Sequence, residues 1–376
     1  TSRATCSRVR AATCLPSMIR AAMWRRNLAS AGDGPFGYTV FVMRKGLLAV
    51  AVLASLAWAP EARAAQPLVV GIGDQKTAMF NDPRMPWLGI KHARLVVPWY
   101  VASGIDKDEL RYVDNWLRAA RRAGVEPLVG FGHGFSGFMR IYAPKPAEYR
   151  RDVAKFRKRY PWVKRYITWN EANHCSQPTC RRPERAAAYF DAVKSVCPTC
   201  TVVAADLIDQ PNMVKWFRRF RRAAKHKPTL VGLHNYLDVN RLRMTGTRRL
   251  IKAVPRGTRI WITETGGVVR RKHFRGRVAA FPETPEHAGK VTSYLLRWAR
   301  RLPRIDRVYL YHWNADSDQA TWDSGLVGPL GAGRPGLDAL ARYLRRDPRT
   351  APKPPPPPPP APSPAPPVGE NPPPPS

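Results

Sequence analysis

Eight short apolar runs, rich in β-branched and aromatic residues, recur between Leu68 and Asn314: 68–73, 93–99, 126–132, 165–170, 201–207, 230–236, 259–263 and 307–313. Each has the length of a buried strand. Between most of them the hydrophobic period lengthens to that of a helix. In 106–124, Asp106 is placed to cap and Glu109 to answer it three residues on. Leu110, Val113, Leu117 and Ala120 form one stripe, and Gly124 ends it. In 183–196 a Pro opens the first turn, and Ala187, Phe190 and Val193 face inward. In 284–301 the stripe is Val291, Leu295 and Trp298. Eight alternations of strand and helix predict an α/β fold, a single-domain (β/α)8 TIM barrel with ligands at the C-terminal mouth. An open doubly wound sheet fits less well, because no Gly-rich phosphate loop follows the first run.

The two ends of the 376 residues lie outside this pattern. Met43-Arg44-Lys45, the apolar 46–59 and Ala62-Arg63-Ala64 have the layout of a signal peptide over 43–64. The product is then secreted or wall-associated, and the apolar stretch is too short for a membrane span. Residues 1–42 read as an over-extended gene start. Residues 348–376, with unbroken Pro from 354 to 360, suit an extended, disordered spacer without a core. The expected barrel is 66–346, the usual size for one such fold.

The net charge is +36, with 63 Lys and Arg against 27 Asp and Glu. Nucleic acid is the first partner to weigh. The basic residues are scattered over helical faces without a nucleic-acid-reading motif, so no nucleic-acid partner is expected. Acidic wall polysaccharide is an alternative attractor for such a surface. Of six cysteines, Cys6 and Cys14 precede the signal. Cys175, Cys180, Cys197 and Cys200 have spacings that zinc can use, but export favours disulfides. A helix of about fourteen residues, roughly 20 Å long, separates the two pairs. That span limits pairing to 175–180 and 197–200.

Candidate chemistry rests on two carboxylates. Glu171 sits in Tyr166-Ile167-Thr168-Trp169-Asn170-Glu171-Ala172-Asn173, and Glu264 in Arg259-Ile260-Trp261-Ile262-Thr263-Glu264-Thr265-Gly266. They fall at the ends of the fourth and seventh runs. Two carboxylates at strand ends can provide the acid and the nucleophile or base that glycoside cleavage needs. On these motifs the folded part resembles retaining glycoside hydrolases that place the acid/base after strand four and the nucleophile after strand seven. Families 5 and 39 are nearest. The resemblance implies that Glu171 is the acid/base, Glu264 the nucleophile, and Asn170 a ligand of the sugar 2-hydroxyl. It also implies substrate-binding roles for Arg94 on the second run, His133 after the third, His234 and Tyr236 on the sixth and Trp313 after the eighth. Arg94 and Tyr236 would favour an ionised Glu264, and Trp313 would lie under the sugar. Ala172 stands where many members have Pro, and the loop to Cys180 has no general counterpart in the family.

Two close carboxylates resist ionising together, so one is expected to stay protonated near neutral pH. Taken singly, His133, His234 and His312 are also ordinary core histidines, and His312 is expected to point away from the mouth. Asp206 and Asp209 end the fifth run, as substrate contacts or as helix caps. The loop Val269 to Arg277 carries Arg270, Arg271, Lys272, His273, Arg275 and Arg277, which suits an acidic glycan beside Glu264 or else is a solvated Arg-rich loop like Arg218-Arg219-Phe220-Arg221-Arg222. The resulting expectation is a secreted, monomeric, retaining glycosidase of a polysaccharide or oligosaccharide, with no cofactor and no metal. A catalytically inactive carbohydrate-binding barrel is the alternative.

Overall fold

A computed structural model describes residues 67–134, 137–271, 280–317 and 320–353. The expected leader, the stretch before it, residues 354–376 of the Pro-rich end, and Lys272 to Arg277 of the basic loop lie outside the described residues. Every described residue belongs to one compact unit. Its strands are β1 (Val69–Gly73), β2 (His92–Pro98), β3 (Glu126–Gly132), β4 (Arg165–Ile167), β5 (Thr201–Val203), β6 (Asp206–Ile208), β7 (Leu230–His234), β8 (Arg259–Thr265), β9 (Arg270–Arg271), β10 (Ile305–Tyr311) and β11 (Trp322–Asp323).

Nine of these form one sheet in the order β5-β4-β3-β2-β1-β10-β8-β7-β6, every neighbouring pair parallel. The sheet ends, β5 and β6, are two halves of the fifth predicted run. Ala204 and Ala205 interrupt that run and still bond across to β7: Ala204 N–H donates to the Leu230 carbonyl, and Gly232 N–H to that of Ala205. The ring therefore closes, and the eight predicted runs are the eight staves of a (β/α)8 barrel. β5 pairs with β4 and β6 with β7, and Asp206 opens β6.

The predicted helices form on the barrel's outside. Lys107–Arg122 is capped by Asp106, whose carboxylate accepts from the Asp108 and Glu109 N–H groups at 2.9 Å each. Its Val113, Trp116, Leu117 and Ala120 are buried. Pro183–Val196 keeps the predicted bounds, and Thr284 caps Pro285–Arg301 by accepting from the His287 N–H. A separate cluster of Leu128, Ile167, Val203, Leu230, Trp261 and Tyr309, drawn from six strands, fills the barrel interior. Tyr309 is thus barrel packing. Among the described residues no helix is long and apolar enough to cross a membrane.

Candidate active site

A cavity of about 1030 Å³ opens at the C-terminal ends of the strands. Glu171 and Glu264 both line it, with Arg94, Asn170 and Tyr236. Glu171 follows β4 by four residues, in a left-handed backbone conformation with φ of 47°. Such a conformation is unfavourable for a residue with a Cβ and persists where the surroundings over-determine it. Here they do. Asn170 N–H donates to the Phe131 carbonyl at 2.7 Å and Ala172 N–H to that of Asp206 at 2.8 Å. Asn173 side-chain groups bond the Ile208 main chain at 2.8 and 3.0 Å. The turn is thereby pinned between β3 and β6.

The loop that follows adds support. Cys175–Cys180 and Cys197–Cys200 are both disulfides, with Cα separations of 4.9 and 5.4 Å. Inside the first loop, the Trp169 indole N–H donates to Gln177 at 3.1 Å and the Thr179 hydroxyl to the Ala172 carbonyl at 2.8 Å.

Around the carboxylates runs a continuous charged network. Arg94 Nη1 donates to Glu264 Oε2 at 2.5 Å, and Arg94 Nη2 to Asn170 Oδ1 at 2.5 Å and Asp206 Oδ2 at 3.2 Å. The Tyr236 hydroxyl donates to Glu264 Oε1 at 3.1 Å. His234 Nε2 lies 2.8 Å from Asp206 Oδ2, and its Nδ1 lies 3.2 Å from Glu171 Oε1. One atom each of Glu171, His234 and Glu264 lie within 4.8 Å of one another. The set could approach a cation, but His234 has carboxylates at both nitrogens. Burial pushes the imidazole pKa down, yet Asp206, Glu264 and Glu171 outweigh it and hold it at about 10. So charged, the ring is a donor at both nitrogens.

The same cation changes one expectation. Burial pushes the Glu171 carboxyl up, but the hydrogen bond and charge of His234, with His174 beyond, bring it below the usual carboxylate range. Glu171 is not the raised acid that two neighbouring carboxylates suggest, because a third charge of opposite sign sits beside them. Asp206 is also held low despite burial, by His234, Arg94 and the Thr263 hydroxyl. Asp209 goes the other way. It lines the cavity and accepts from the Leu237 and Asp238 N–H groups at 3.2 and 2.7 Å, and burial lifts it to about 7.

Six of the eight residues singled out from sequence converge here: Arg94, Asn170, Glu171, His234, Tyr236 and Glu264. Two do not. Trp313 is fully buried, and its indole N–H donates to Asp82 Oδ2 at 2.9 Å, so it presents no face to a sugar. The reason is where β10 stops. The strand ends at Tyr311, and the N–H groups of Trp313 and Asn314 both turn onto Asp74 Oδ2 at 2.9 and 3.1 Å. His133 bonds the adjacent Gly134 carbonyl at 2.6 Å and is not among the lining residues. Conversely His312, expected to face away, lines the cavity beside Tyr311. Aromatic surface comes from Trp322 on β11, edge-on to Tyr236 at 5.1 Å between centroids, and from Phe281 beneath the Arg271 guanidinium at 4.1 Å. A Trp in the polar loop after the eighth run was the available signal for Trp322.

A cavity at the mouth of a closed parallel barrel, holding two carboxylates in a network of cations, defines a class: the (β/α)8-barrel glycosidases. Residues 145–330 match the family model described as glycosyl hydrolase catalytic core. It is similar in fold to GH5_18 from Bifidobacterium longum subsp. longum ATCC 55813, with 14% identity, 74% of this chain and 79% of that one covered, and a TM-score of 0.55. It is also similar to the exo-beta-1,4-mannosidase Op5Man5 from Opitutaceae bacterium strain TAV5 (14% identity, 76% and 60% covered, TM-score 0.51). A third is a family 39 glycoside hydrolase from the gut symbiont Bacteroides cellulosilyticus WH2 (14% identity, 74% and 64% covered, TM-score 0.49). The chain spans less than two thirds of the length of the last two. Among curated proteins, none matches the sequence.

Proposed function

We propose that the protein is a secreted, monomeric glycosidase that cleaves a polysaccharide or oligosaccharide with retention, Glu264 serving as nucleophile and Glu171 as acid/base. The observation that carries this is the convergence of the two carboxylates. Oxygens of Glu171 and Glu264 lie within 4.8 Å of each other. Retaining enzymes hold these groups about 5–5.5 Å apart, and inverting ones leave roughly 6.5–9.5 Å for a water. The role assignment follows from the partners. Glu264 takes Arg94 and the Tyr236 hydroxyl, which stabilise a carboxylate about to attack. Glu171 has one oxygen at His234, a proton donor, which suits a group that must pass a proton on. Asn170, fixed by Arg94, is in place for the 2-hydroxyl. Both carboxylates being present speaks against an inactive binding barrel.

At the reaction centre the sugar is read as neutral. Lining carboxylates are Glu171, Asp209, Glu264 and Asp316, against Arg94 and Arg271 among the described residues. An acidic substrate group has its partner at the rim, where Arg271 also pairs with Glu283 at 2.7 Å. The test is a polysaccharide panel, followed by proton NMR of the first product from an active substrate. The starting anomeric configuration should appear first. The opposite anomer would mean inversion, and the role of Glu264 would fall with it.

A further inference from the structure

Asp206 reaches no cavity, yet it touches both halves of the charged network. It is fully buried at the start of β6. Its Oδ2 accepts from His234 Nε2 and Arg94 Nη2, and its Oδ1 from the Thr263 hydroxyl of β8. Gly232 on β7 makes the space: a Cβ there would overlap Asp206 Oδ1 and crowd Thr263 Oγ1. A buried carboxylate is tolerated only when it is well partnered, and here three donors converge on it. The partner that matters is His234. Because Asp206 accepts the Nε2–H hydrogen bond, Nδ1 is left facing Glu171 Oε1 at 3.2 Å.

Resting on the glycosidase reading, we propose that Asp206 is a positioning residue that fixes the orientation and tautomer of His234, so that His234 and Glu171 hold one proton between them for the leaving group. In the free enzyme the proton is on His234 Nδ1 and Glu171 is a carboxylate. As the glycosidic bond breaks, Nδ1 passes its proton to Glu171 Oε1 and Glu171 delivers a proton to the leaving oxygen, which keeps the bonding pair, while Glu264 bonds the anomeric carbon. Neutral His234 keeps its Nε2–H on Asp206. In the second half, water gives a proton to Glu171, which returns it to Nδ1, while the water oxygen replaces Glu264 at carbon. The charges explain why the arrangement suits the reaction. Arg94 and His234 start positive, and Glu171, Asp206 and Glu264 start negative. Esterification removes the Glu264 charge as His234 loses its own, so the site stays one net charge negative throughout. The charged groups facing His234 are Arg94 of β2, Glu171 after β4, Asp206 of β6 and Glu264 of β8.

The first test needs no substrate. ¹⁵N-histidine NMR of the full chain follows the imidazole across pH, with the His234 signal assigned by its loss in His234→Gln. The wild-type ring should stay charged until about pH 10. Asp206→Asn and Glu171→Gln should each lower that midpoint by roughly one unit or more. A midpoint unmoved in both variants overturns the proposal. The second test compares kcat/KM on phenyl and 2,4-dinitrophenyl glycosides of glucose, mannose, xylose and arabinose. Asp206→Asn should cost at least about tenfold more on the phenyl substrate, which needs its proton. Equal losses would make Asp206 only a support for the fold. Should Asp206→Asn not fold, Gly232→Ala displaces the carboxylate without removing it and is judged by the same two criteria. If wild type cleaves none of these glycosides nor any polysaccharide, the glycosidase reading fails, whereas the titration still judges the relay.

Discussion

Glu171 owes its direction to a backbone conformation that its own side chain disfavours, and Glu264 owes its position to the end of β8, where the pairing with both neighbouring strands shifts register. The two should respond differently to replacement. Glu264→Ala should lower turnover by at least on the order of 1000-fold, and azide should rescue it with a glycosyl azide of inverted configuration. Glu171→Ala should retain more activity on substrates with good leaving groups, and azide should give the retained product. Interchanged configurations, read by NMR, would exchange the two roles. His234 adds a stability prediction. Its folded pKa, about 10, lies above the ordinary value near 6.5. The folded state therefore binds more protons between those values. The stabilisation is complete below about pH 6.5 and is lost as pH rises through 10. Thermal unfolding followed by circular dichroism should show a falling midpoint over that interval. The fall should be shallower in His234→Gln, and an equal slope in both proteins would refute the assignment.

At the level of elements, the interrupted fifth strand and the stapled loop after β4 serve the same turn. β6 accepts the Ala172 N–H through the Asp206 carbonyl, and the Cys175–Cys180 loop meets Trp169 and Ala172 from the other side. Closing so short a loop contributes about 2 kcal/mol by chain entropy. The paired change of Cys175 and Cys180 to Ser should cost about that much in denaturant unfolding. It should also lower kcat, since it loosens the turn that carries Glu171. The same change at Cys197 and Cys200 should cost a similar amount of stability and leave kcat near wild type, because that pair lies before β5, at the opposite end of the strand from the cavity. A kcat loss of equal size in both variants would show that the first loop has no special hold on the site. The helix after β2 offers a smaller check. Asp106→Ala removes the acceptor of two N–H groups and should cost about 1 kcal/mol.

Across the whole molecule, charge and site are separable. The excess of 36 positive charges is a property of the full chain, while the described cavity lining is predominantly acidic. The basic surface should bind anionic polymers with an affinity that falls steeply with salt. Hydrolysis of a neutral glycan should change little over the same salt range. Parallel loss of both on going from low to high salt would instead place basic groups in the substrate path. Arg271→Ser is the local version of this test at the cavity rim.

The strand–helix alternation and the two carboxylates were legible in the chain because both are local signals. Burial on two faces forces continuous apolar runs, burial on one face forces a helical period, and a carboxylate ending such a run lies at the barrel mouth whatever packs around it. Arg94, Asn170, His234 and Tyr236 were reachable only by resemblance, because nothing in their local pattern distinguishes them from core polar residues. The rest waited on packing. Trp313 is in phase with Tyr309 and Tyr311 along the strand, but that phase is lost once β10 ends and Asp74 captures the following N–H groups. The ionisation of Glu171 depends on His234, sixty-three residues away. The state of His234 depends in turn on Asp206, admitted beside it by a glycine on β7. Proton position is an energy summed over charges brought together from five strands, and no single stretch of the chain contains that sum.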